Sequence, residues 1–532
     1  MKKFKDIKHP VRFFFVLMLA VVCFTACEKT EPLPEDPYSG GKEALGIRFL
    51  TTPAVTEGNS MTFSATGLVP YKDKLRLLIN NVPATITSVT TNSVTVTIPD
   101  NLSSGPAVII VDEQIFFGPM VNIAGKTEVD ATFSSLGANS MISQILPLPN
   151  GNLMMVGSFT NYAQAASEKQ PINGIVLTNQ NGTYLNTLNS KKGANSFITS
   201  IARLSNGQLM IGGSFSSFNN RKGISGITRL NADGSLDTTR VEVVNLTPLI
   251  PANSYDTVAR FNGGINGTAS KLFIYNNQII VQGNFNNYAE HFYERSTRDR
   301  KVVGYTKINN VLRMSLEGKM DSTYNFDKAA GIALEAGNGS VYDCAIQPDG
   351  KLIMVGSFTR YQAQTANYIL RLDNNGRVDP SFTASANGPI FSVKYNATNG
   401  KYMLAGSFTT YNGTPVNGLV RTNADGSIDP SFTALSMASG YPTFAAQLSG
   451  GKIIVSGSFA SYNNIIRQGF MILNADGTLA QGYNNTGRFI GSISDIYEKT
   501  NSLGYPTVII AGFITTFDAK PVNNIVRIVL KP

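Results

Sequence analysis

Tryptophan is absent from this chain of 532 residues, which also has only three cysteines and two histidines. Cys23 and Cys27 lie near the N terminus, so Cys344 is the one cysteine of the long remainder, and we expect it to be buried and unpaired. Because the histidines are His9 and His291, neither a Ser-His-Asp triad nor a zinc site with several histidines is supported. Stacking on a sugar ring would have to use tyrosine or phenylalanine.

The net charge is also small once the N-terminal segment is excluded. The chain carries 44 basic and 35 acidic residues, a net charge of +9. Five basic residues and one acidic residue lie in positions 1–26, and without them the net charge is 39 − 34 = +5. So small a charge on the rest of the chain does not indicate a nucleic-acid partner.

The only long apolar run, Phe13 to Phe24, follows a basic stretch and precedes two small residues and Cys27. This order is typical of a secretory signal peptide, and the run is short for a membrane span. The residues before Cys27 resemble the lipobox of bacterial lipoproteins, which implies a signal peptide at 1–26 and lipidation of Cys27. An ordinary signal peptide cut nearby is the alternative. The acidic, proline-containing linker 27–44 resembles the surface-export signal of Bacteroidetes lipoproteins, which implies an anchor in the outer-membrane lipid bilayer, facing the cell exterior.

A short phrase recurs seven times in the rest of the chain. Each copy is an apolar run that ends in Gly-Ser-Phe or a variant, followed three residues later by a second aromatic residue. Self-similarity of this kind indicates a repeat architecture in which each unit buries its apolar face against its neighbours. The copies are MMVGSFTNY (154–162), MIGGSFSSF (210–218), IVQGNFNNY (280–288), IMVGSFTRY (353–361), MLAGSFTTY (403–411), IVSGSFASY (454–462) and IIAGFITTF (509–517).

The repeat from Val341 to Phe382 shows what one unit predicts. Apolar segments alternate with tight glycine turns at 348–350 and 374–376, and helical periodicity is lacking. We therefore expect four strands and two hairpin turns per unit, which form a β-propeller when repeated radially. The segment 130–133 matches the end of a unit, and the last unit stops before its own fourth strand. We expect this orphan segment to pair there and close the ring, because an open solenoid would need capping units.

The motifs QPDGKLIMVGSF (347–358), ITRLNADGSLD (227–237) and VRTNADGSIDPSF (420–432) resemble the delta-60 repeat family of β-propellers. The resemblance covers about residues 128–532 and, with seven copies, implies a seven-bladed β-propeller. It carries no agreed chemistry.

The segment 45–124 lacks the phrase and instead consists of short predicted strands between Gly, Pro and Asn turns. Their order resembles an IPT/TIG immunoglobulin-like β-sandwich, which in surface lipoproteins serves as a spacer or docking module. The predicted class is all-β. The predicted divisions are the signal peptide at 1–26, the anchor and linker at 27–44, the sandwich at 45–124 and the propeller at 128–532.

Carboxylates offer the one serious route to catalysis, because propellers host glycosidases that use a carboxylate pair. Glu290, Glu294 and Asp299 lie among arginines, however, which favours solvated ion pairs. The Asn-Ala-Asp-Gly turns are too short to supply the roughly six oxygens of a calcium site. We therefore expect no catalytic activity, no metal and no cofactor. Most other acidic residues recur in turns, where they satisfy backbone groups: Asp233, Asp349, Asp379, Asp429 and Asp476.

The two faces of the predicted ring differ. The tight glycine turns share one face, whereas the loops after each Gly-Ser-Phe and the connections between units share the other, which we call the loop face. The largest elaboration of the loop face is in the third repeat, at 286–307. Its aromatic rings beside planar donors suit a glycan or a peptide, although a solvated loop or a contact for another protein is equally compatible. The candidate binding residues are Tyr288, His291, Phe292, Tyr293, Arg295, Arg298 and Arg300.

The aromatic residue that ends each copy of the phrase admits two interpretations. The seven rings could form a binding girdle, but their regularity favours packing between blades.

Together these features predict a non-catalytic surface lipoprotein. Its resemblance to Bacteroidetes surface lipoproteins implies an accessory role beside a SusC/SusD-like transporter, binding a glycan or a peptide. An adhesion or assembly protein that binds another protein is the first alternative, and a carboxylate-dependent glycan-cleaving enzyme is the second.

Overall fold

The computed structural model describes residues 45–49, 55–56, 60–247 and 254–532. Cys27, the predicted signal peptide and the predicted linker lie outside these residues. The segment from Arg48 to Pro532 forms one compact unit. Regular structure in the described residues consists of strands and two 3-10 helices, Val69–Tyr71 and Tyr293–Arg295, which confirms the all-β prediction. None of the helices in this part of the chain has the length and hydropathy of a membrane span.

A seven-stranded antiparallel sheet, which we call the N-terminal sheet, occupies residues 48–121. Met61, Phe63 and Ala65 alternate with exposed residues along one strand and are buried in its core. The sheet curls until its end strands meet, so the ring of Phe49 lies against the backbone of Gly118. Across the sheet the strands are Arg48–Phe49, Ser60–Thr66, Ser93–Thr97, Val82–Val89, Arg76–Ile79, Gly105–Val111 and Gln114–Val121.

Seven small sheets follow in the described part of the chain, each built on one copy of the repeated phrase. The strand that contains the glycine of the phrase lies second in its sheet, between the strands before and after it. The sheets are sheet 1 (Ile142–Pro147, Leu153–Gly157, Ile175–Thr178), sheet 2 (Ile198–Arg203, Leu209–Gly213, Ile227–Leu230), sheet 3 (Thr268–Tyr275, Gln278–Asn284, Val311–Ser315), sheet 4 (Val341–Ile346, Leu352–Gly356, Ile369–Leu372), sheet 5 (Ile390–Asn396, Lys401–Gly406, Leu419–Thr422), sheet 6 (Pro442–Gln447, Ile453–Gly457, Phe470–Leu473) and sheet 7 (Ile490–Thr500, Pro506–Phe517, Ile525–Leu530, Thr127–Val129).

Short ladders complete the loops and linkers. They pair Val55–Thr56 with Ile123–Ala124, Ser217–Phe218 with Arg221–Lys222, Thr238–Val243 with Ser254–Ala259, Asn287–His291 with Gly264–Ile265 and Val303–Lys307, Phe326–Asp327 with Ile332–Ala333, Arg360–Tyr361 with Gln364–Thr365, Thr410–Tyr411 with Thr414–Pro415, Ser461–Tyr462 with Met437–Ala438 and Ile465–Ile466, and Lys520–Pro521 with the second strand of sheet 7.

The apolar core of the ring lies between the sheets. Six clusters of buried side chains each join one sheet to the next in chain order. A seventh cluster joins Ile509 of sheet 7 to Ile142 of sheet 1, so the ring is closed. The aromatic residues that end the phrases belong to these clusters, which confirms that they pack between sheets: Tyr162, Phe218, Tyr288, Tyr361, Tyr411, Tyr462 and Phe517.

The closing strand comes from the start of the ring, as predicted. Thr127–Val129 pairs antiparallel with Ile525–Leu530, the third strand of sheet 7. Directly after it, the Asp130 carboxylate accepts a hydrogen bond from Arg527 Nε at 2.7 Å. The same Arg–Asp pair joins the third and fourth segments of sheets 2, 3, 4 and 5, so the closing strand reproduces the normal end of a unit.

The fourth strand predicted for each unit is shorter than expected. In the fourth repeat only one bridge, between Leu372 and Val378, continues the ladder. Asp379 then accepts from Arg371 Nε at 2.9 Å and from the Ser381 N–H at 2.9 Å. Since these bonds turn the chain at once, and Pro380 has no N–H to donate, the segment leaves the sheet.

A β-bulge in the first strand of a sheet explains why the repeated phrase contains a glycine on the neighbouring second strand. In sheet 4 the register shifts between Val341 and Asp343, opposite Gly356. The Ser340 carbonyl accepts the Ser357 N–H at 2.9 Å, which draws this carbonyl against the Cα of Gly356. A Cβ at Gly356 would collide with the Ser340 oxygen, and the corresponding collision recurs at the glycine of every copy. Only glycine therefore fits this position.

Hydrogen bonds attach the N-terminal sheet to the segment that links sheets 6 and 7. The Asn485 carbonyl accepts from the backbone N–H and the hydroxyl of Ser104, at 2.9 and 2.8 Å. The Asn485 side chain donates to the carbonyls of Ile123 and Thr127 at 3.2 and 2.9 Å. Gln468 Nε2 also donates to the Asn80 side chain at 2.8 Å. The N-terminal sheet is thus fixed to the ring by buried polar contacts rather than by its covalent connection alone.

Candidate functional site

A polar cleft of about 490 Å³ opens on the loop face, above sheets 2 and 3. Three elements form its walls: the hairpin 217–222, the paired strands Thr238–Val243 and Ser254–Ala259, and the loop 291–301. All three leave the ring at the loop face, as loops or as connections between sheets. The cleft is lined by Asn219, Asn220, Arg221, Lys222, Gly223, Asp256, Thr257, Val258, Arg298, Asp299 and Lys301.

The first wall is a tight hairpin whose turn residues, Asn219 and Asn220, both have positive φ (47° and 61°). Two consecutive residues in this region are typical of a type I′ turn, in which asparagine is favoured. The turn places Arg221 and Lys222 on the returning strand, and the Arg221 guanidinium donates to the Thr257 carbonyl of the second wall. The first two walls are therefore hydrogen-bonded to each other.

A salt bridge joins the second and third walls. Lys301 Nζ lies 2.7 Å from Asp256 Oδ2, and it also donates to the Thr297 and Arg298 carbonyls at 2.9 and 2.8 Å. Burial alone would raise the pKa of Asp256, but the hydrogen bond and charge of Lys301 outweigh it and hold that pKa below its ordinary value. Asp256 is therefore ionised at neutral pH and its charge is neutralised within the cleft.

Four cationic side chains line the cleft against two carboxylates. Once Lys301 and Asp256 are paired, Arg221, Lys222 and Arg298 remain against Asp299. Arg298 uses its Nε to donate to the Tyr255 carbonyl at 2.8 Å, and its side chain is otherwise exposed. The cleft therefore presents positive charge and planar donors, the arrangement that suits carboxylate or sulfate groups.

Tyr288 does not belong to a surface site, contrary to the sequence-based prediction. Its side chain is 3% exposed and its hydroxyl donates to the Gly318 carbonyl at 2.9 Å. Burial is the main cause that raises its pKa. The residue is the inter-sheet aromatic of its repeat, and a ligand on the loop face does not reach it.

The side chains of His291, Phe292 and Tyr293 support the loop by packing. The His291 ring is buried and stacks on Tyr293, with centroids 5.7 Å apart and planes 7° apart. Burial, together with the charge of Lys301, lowers the pKa of His291, so it is neutral at physiological pH. Burial, together with Asp256, raises the pKa of Tyr293 to about 12. Their rings therefore serve packing behind the cleft.

The three predicted arginines are not gathered in one place. Arg295 stacks over the Phe292 ring at 5.1 Å, and its weak ion pair with Glu294, at 3.6 Å, is exposed. Arg300 is exposed but does not line the cleft. Of the seven candidate residues, only Arg298 lines it.

The sequence prediction missed Arg221, Lys222, Asp256 and Lys301. The Asn-Asn turn before Arg221 was a usable signal, because it places two cations on a tight hairpin. Asp256 lies in an inserted hairpin without a counterpart in other repeats, so no internal comparison could indicate it.

Metal chemistry finds no support in the described ranges, where no three His, Cys, Asp or Glu side chains are grouped closely enough to hold an ion. Cys344 is buried as predicted, and burial raises its pKa to about 12, which makes it an unreactive thiol.

Three solved structures illustrate what the chain is similar to overall. Two are named auxiliary nutrient binding proteins. The one from Bacteroides ovatus has a TM-score of 0.27 and 10% identity, covering 92% of this chain and 98% of its own. The one from Bacteroides thetaiotaomicron has a TM-score of 0.29 and 10% identity, covering 90% and 95%. A putative phosphatase from Bacteroides thetaiotaomicron has a TM-score of 0.24 and 10% identity, covering 91% and 96%. At these scores the similarities carry no argument about function.

Two families match parts of the chain, and no curated protein matches it. The family described as "Domain of unknown function (DUF5008)" matches residues 21–119. The family described as "Domain of unknown function (DUF5122) beta-propeller" matches residues 204–239, 347–382, 397–432 and 449–479. These four ranges fall on sheets 2, 4, 5 and 6, so this part of the ring is similar to a β-propeller family.

Proposed function

We propose that this protein is a non-catalytic binding protein whose loop-face cleft takes an acidic glycan. The observation that carries the proposal is the charge of the cleft, where Arg221, Lys222 and Arg298 face a single unneutralised carboxylate, that of Asp299. An uronate or sulfate group would receive paired donors from the two guanidinium groups.

The composition of the cleft favours a glycan over a peptide. Its lining includes Asn219, Asn220 and Thr257, whose amide and hydroxyl groups match the hydroxyl groups of sugars, and only Val258 offers an apolar surface. A peptide site would need apolar pockets for anchoring side chains. Sugar hydroxyls need only directional hydrogen bonds, which this lining supplies.

The proposed setting is the outer face of an outer membrane, with the chain anchored through Cys27. There it would serve as an accessory component beside a SusC/SusD-like transporter, capturing glycan for uptake. The propeller resemblance to the delta-60 repeat family and the IPT/TIG-like identity of the N-terminal sheet are part of the same proposal. They rest on the sequence motifs.

The anchor is tested by metabolic labelling of cells with an alkyne-bearing fatty acid. We expect the full-length chain to carry the label in the outer-membrane fraction, because lipidation of Cys27 retains it there. The Cys27→Ser variant should lose the label and appear in the soluble fraction. Equal labelling of both forms would show that Cys27 is not the acylated residue.

The cleft is tested by calorimetric titration of the mature chain with an oligogalacturonate. We expect Arg298→Ala to weaken binding about 10–100-fold, since one charged hydrogen-bonding group is worth roughly 1.5–3 kcal/mol. Binding should also weaken as salt is raised, because the attraction is electrostatic and the cleft is open to solvent. Arg295→Ala is the matched control, because Arg295 lies in the same loop but outside the cleft.

Several results would contradict the proposal. Equal affinity for a neutral oligosaccharide would show that charge does not select the ligand. Products released from the glycan by the pure protein would establish an enzyme. An outer-membrane receptor bound by the chain, with no glycan binding, would favour the adhesion or assembly role.

A further inference from the structure

The first strands of the seven sheets gather at the centre of the ring. Neighbouring first strands contact one another, as Ile142–Pro147 does with both Ile198–Arg203 and Ile490–Thr500. Between them lies a cavity of about 350 Å³, lined by first-strand residues of sheets 1, 2, 3, 5 and 7. This volume is within the range of about 300–1,000 Å³ that is usual for small-molecule sites. The central cavity is separate from the loop-face cleft and shares no residue with it.

Arg203, which is exposed, lines this cavity. Four further charged side chains also meet there, and their charges are not matched in pairs. Asp343 is buried and binds two lysines, with Lys271 Nζ at 2.5 Å and Lys394 Nζ at 3.0 Å. Asp495 accepts the backbone N–H groups of Ile145 and Ile496 at 2.9 and 3.0 Å. Among the described residues no lysine or arginine nitrogen lies within 4.0 Å of Asp495, since no ion pair includes it. Among these four side chains, one positive charge and one negative charge are thus left over.

The lysine charge that Asp343 leaves over and the carboxylate of Asp495 both face the central cavity. Lys271, Lys394 and Asp495 all line the central cavity, whereas Asp343 lies behind the lysines. Burial raises the pKa of Asp495 and lowers that of Lys394, although each acts on the other in the opposite sense. Charges withdrawn from water without a direct partner are costly, and they gain from any group that supplies the missing contact.

The rest of the lining fits a small molecule with an apolar part. The Ser143 hydroxyl is buried in the cavity wall without a hydrogen-bond partner in the described structure. Phe273 and Ile274 are partly exposed and supply apolar surface, whereas Leu272 is buried in the core between sheets 2 and 3. A ligand here can therefore make polar contacts at one end and bury a side chain at the other.

We propose that the central cavity binds a small zwitterion, a free α-amino acid. Its ammonium group pairs with Asp495, and its carboxylate pairs with the lysine charge that Asp343 leaves over. A ligand that carries both charges leaves the net charge of the site unchanged, which neither a simple anion nor a simple cation does. The remaining apolar wall receives the side chain of the amino acid.

The test is calorimetric titration of the mature chain with free amino acids, followed by derivatives of the best binder that each lack one charge. We expect the free amino acid to bind and the N-acetyl derivative and the methyl ester each to lose at least about tenfold in affinity. Asp495→Asn should remove the preference for a free ammonium group, because its amide oxygen still accepts a backbone N–H but carries no charge. Lys394→Met should remove the preference for a free carboxylate.

Two further measurements make the result independent of folding and of the loop-face cleft. Circular dichroism should show the same strand content in both variants as in the unmodified chain. Arg298→Ala should bind the amino acid unchanged, since Arg298 lies only in the loop-face cleft. No binding of any free amino acid to the folded chain would overturn the proposal, and so would equal affinity for the N-acetyl derivative. Either result would leave the four charges a structural feature of the ring.

Discussion

Replacing Arg527 with alanine should lower the free energy of unfolding by about 3–5 kcal/mol, because it leaves a buried carboxylate without its cation. The side chains of Arg527 and Asp130 are only 10% and 9% exposed, and their atoms lie 2.7 Å apart. Arg527 Nη1 also donates to the Gln180 carbonyl of the next repeat at 2.7 Å. The guanidinium group therefore joins the closing strand, sheet 7 and the turn beside sheet 1, so its loss weakens the ring where the closing strand meets sheet 7.

Two other repeats of the same chain, which lack the Arg–Asp pair, supply the control for this prediction. In sheet 1 the positions of the Arg–Asp pair are held by Leu177 and Leu185, and in sheet 6 by Ile472 and Ala480. In both repeats the two positions differ together from the Arg–Asp pair. This is expected if one buried charge without the other destabilises the fold, whereas an apolar pair at both positions does not. The double variant Arg527→Leu with Asp130→Leu should therefore regain most of the lost stability.

The measurement is urea unfolding followed by tyrosine fluorescence and circular dichroism.

The ionisation of Asp130 also predicts that the free energy of unfolding depends on pH. Burial would raise its pKa, but the hydrogen bonds from Thr132 and Arg527 hold it below its ordinary value. The stabilisation is thus complete above that ordinary value and lost as the pH falls towards the lowered one. The double variant should lack this acid-dependent loss, and the single variant should show a smaller one, because Thr132 still donates to Asp130. A single variant as stable as the unmodified chain would show that the pair does not close the ring.

Gly356→Ala is the second substitution with a large expected effect. The new Cβ would collide with the Ser340 carbonyl oxygen, which cannot move without breaking its hydrogen bond to the Ser357 N–H. Backbone atoms must shift in the middle of sheet 4, where the neighbouring Val355 and Phe358 are fully buried. Overpacking of this kind costs about 1–3 kcal/mol, and more where the backbone itself must move.

Gly450→Ala is the matched control for Gly356→Ala. Gly450 lies in a turn, a Cβ there meets nothing within 4 Å, and its φ is not in the left-handed region. The same change should therefore alter stability by less than about 0.5 kcal/mol. Thermal and urea unfolding of both variants give the comparison. If the two variants were equally stable, steric exclusion would not be the reason that glycine recurs in the phrase.

The fold was largely predictable because its causes repeat. The phrase predicted the second strand of each sheet and the buried aromatic residue. The match of the segment near Asp130 to the end of a unit predicted its closing role. The shortened fourth strand was not predicted, since the Arg371–Asp379 pair that turns the chain is formed by residues eight positions apart. A recurring asparagine was missed for a similar reason: Asn338 Oδ1 accepts the Thr359 and Arg360 N–H groups, more than 20 residues away.

The candidate sites were much less predictable, because they depend on features that do not repeat. Counting aromatic and cationic residues in one long loop selected Arg298, which lines the loop-face cleft, but also included Tyr288, whose burial follows from its place in the phrase. The loop-face cleft needs Asp256 from an inserted hairpin. The central cavity needs Lys271, Lys394 and Asp495, which lie in three different repeats and meet only when the ring closes.

The attachment of the N-terminal sheet has a mechanical consequence. The chain passes from this sheet through Ile123 to the closing strand at Thr127, and Asn485 binds the carbonyls of both residues. Tension applied to the N-terminal sheet is therefore shared with the segment between sheets 6 and 7 before it reaches the closing strand. The load is spread over two elements of the ring, so a pull on the N-terminal sheet does not act directly to separate the closing strand from sheet 7.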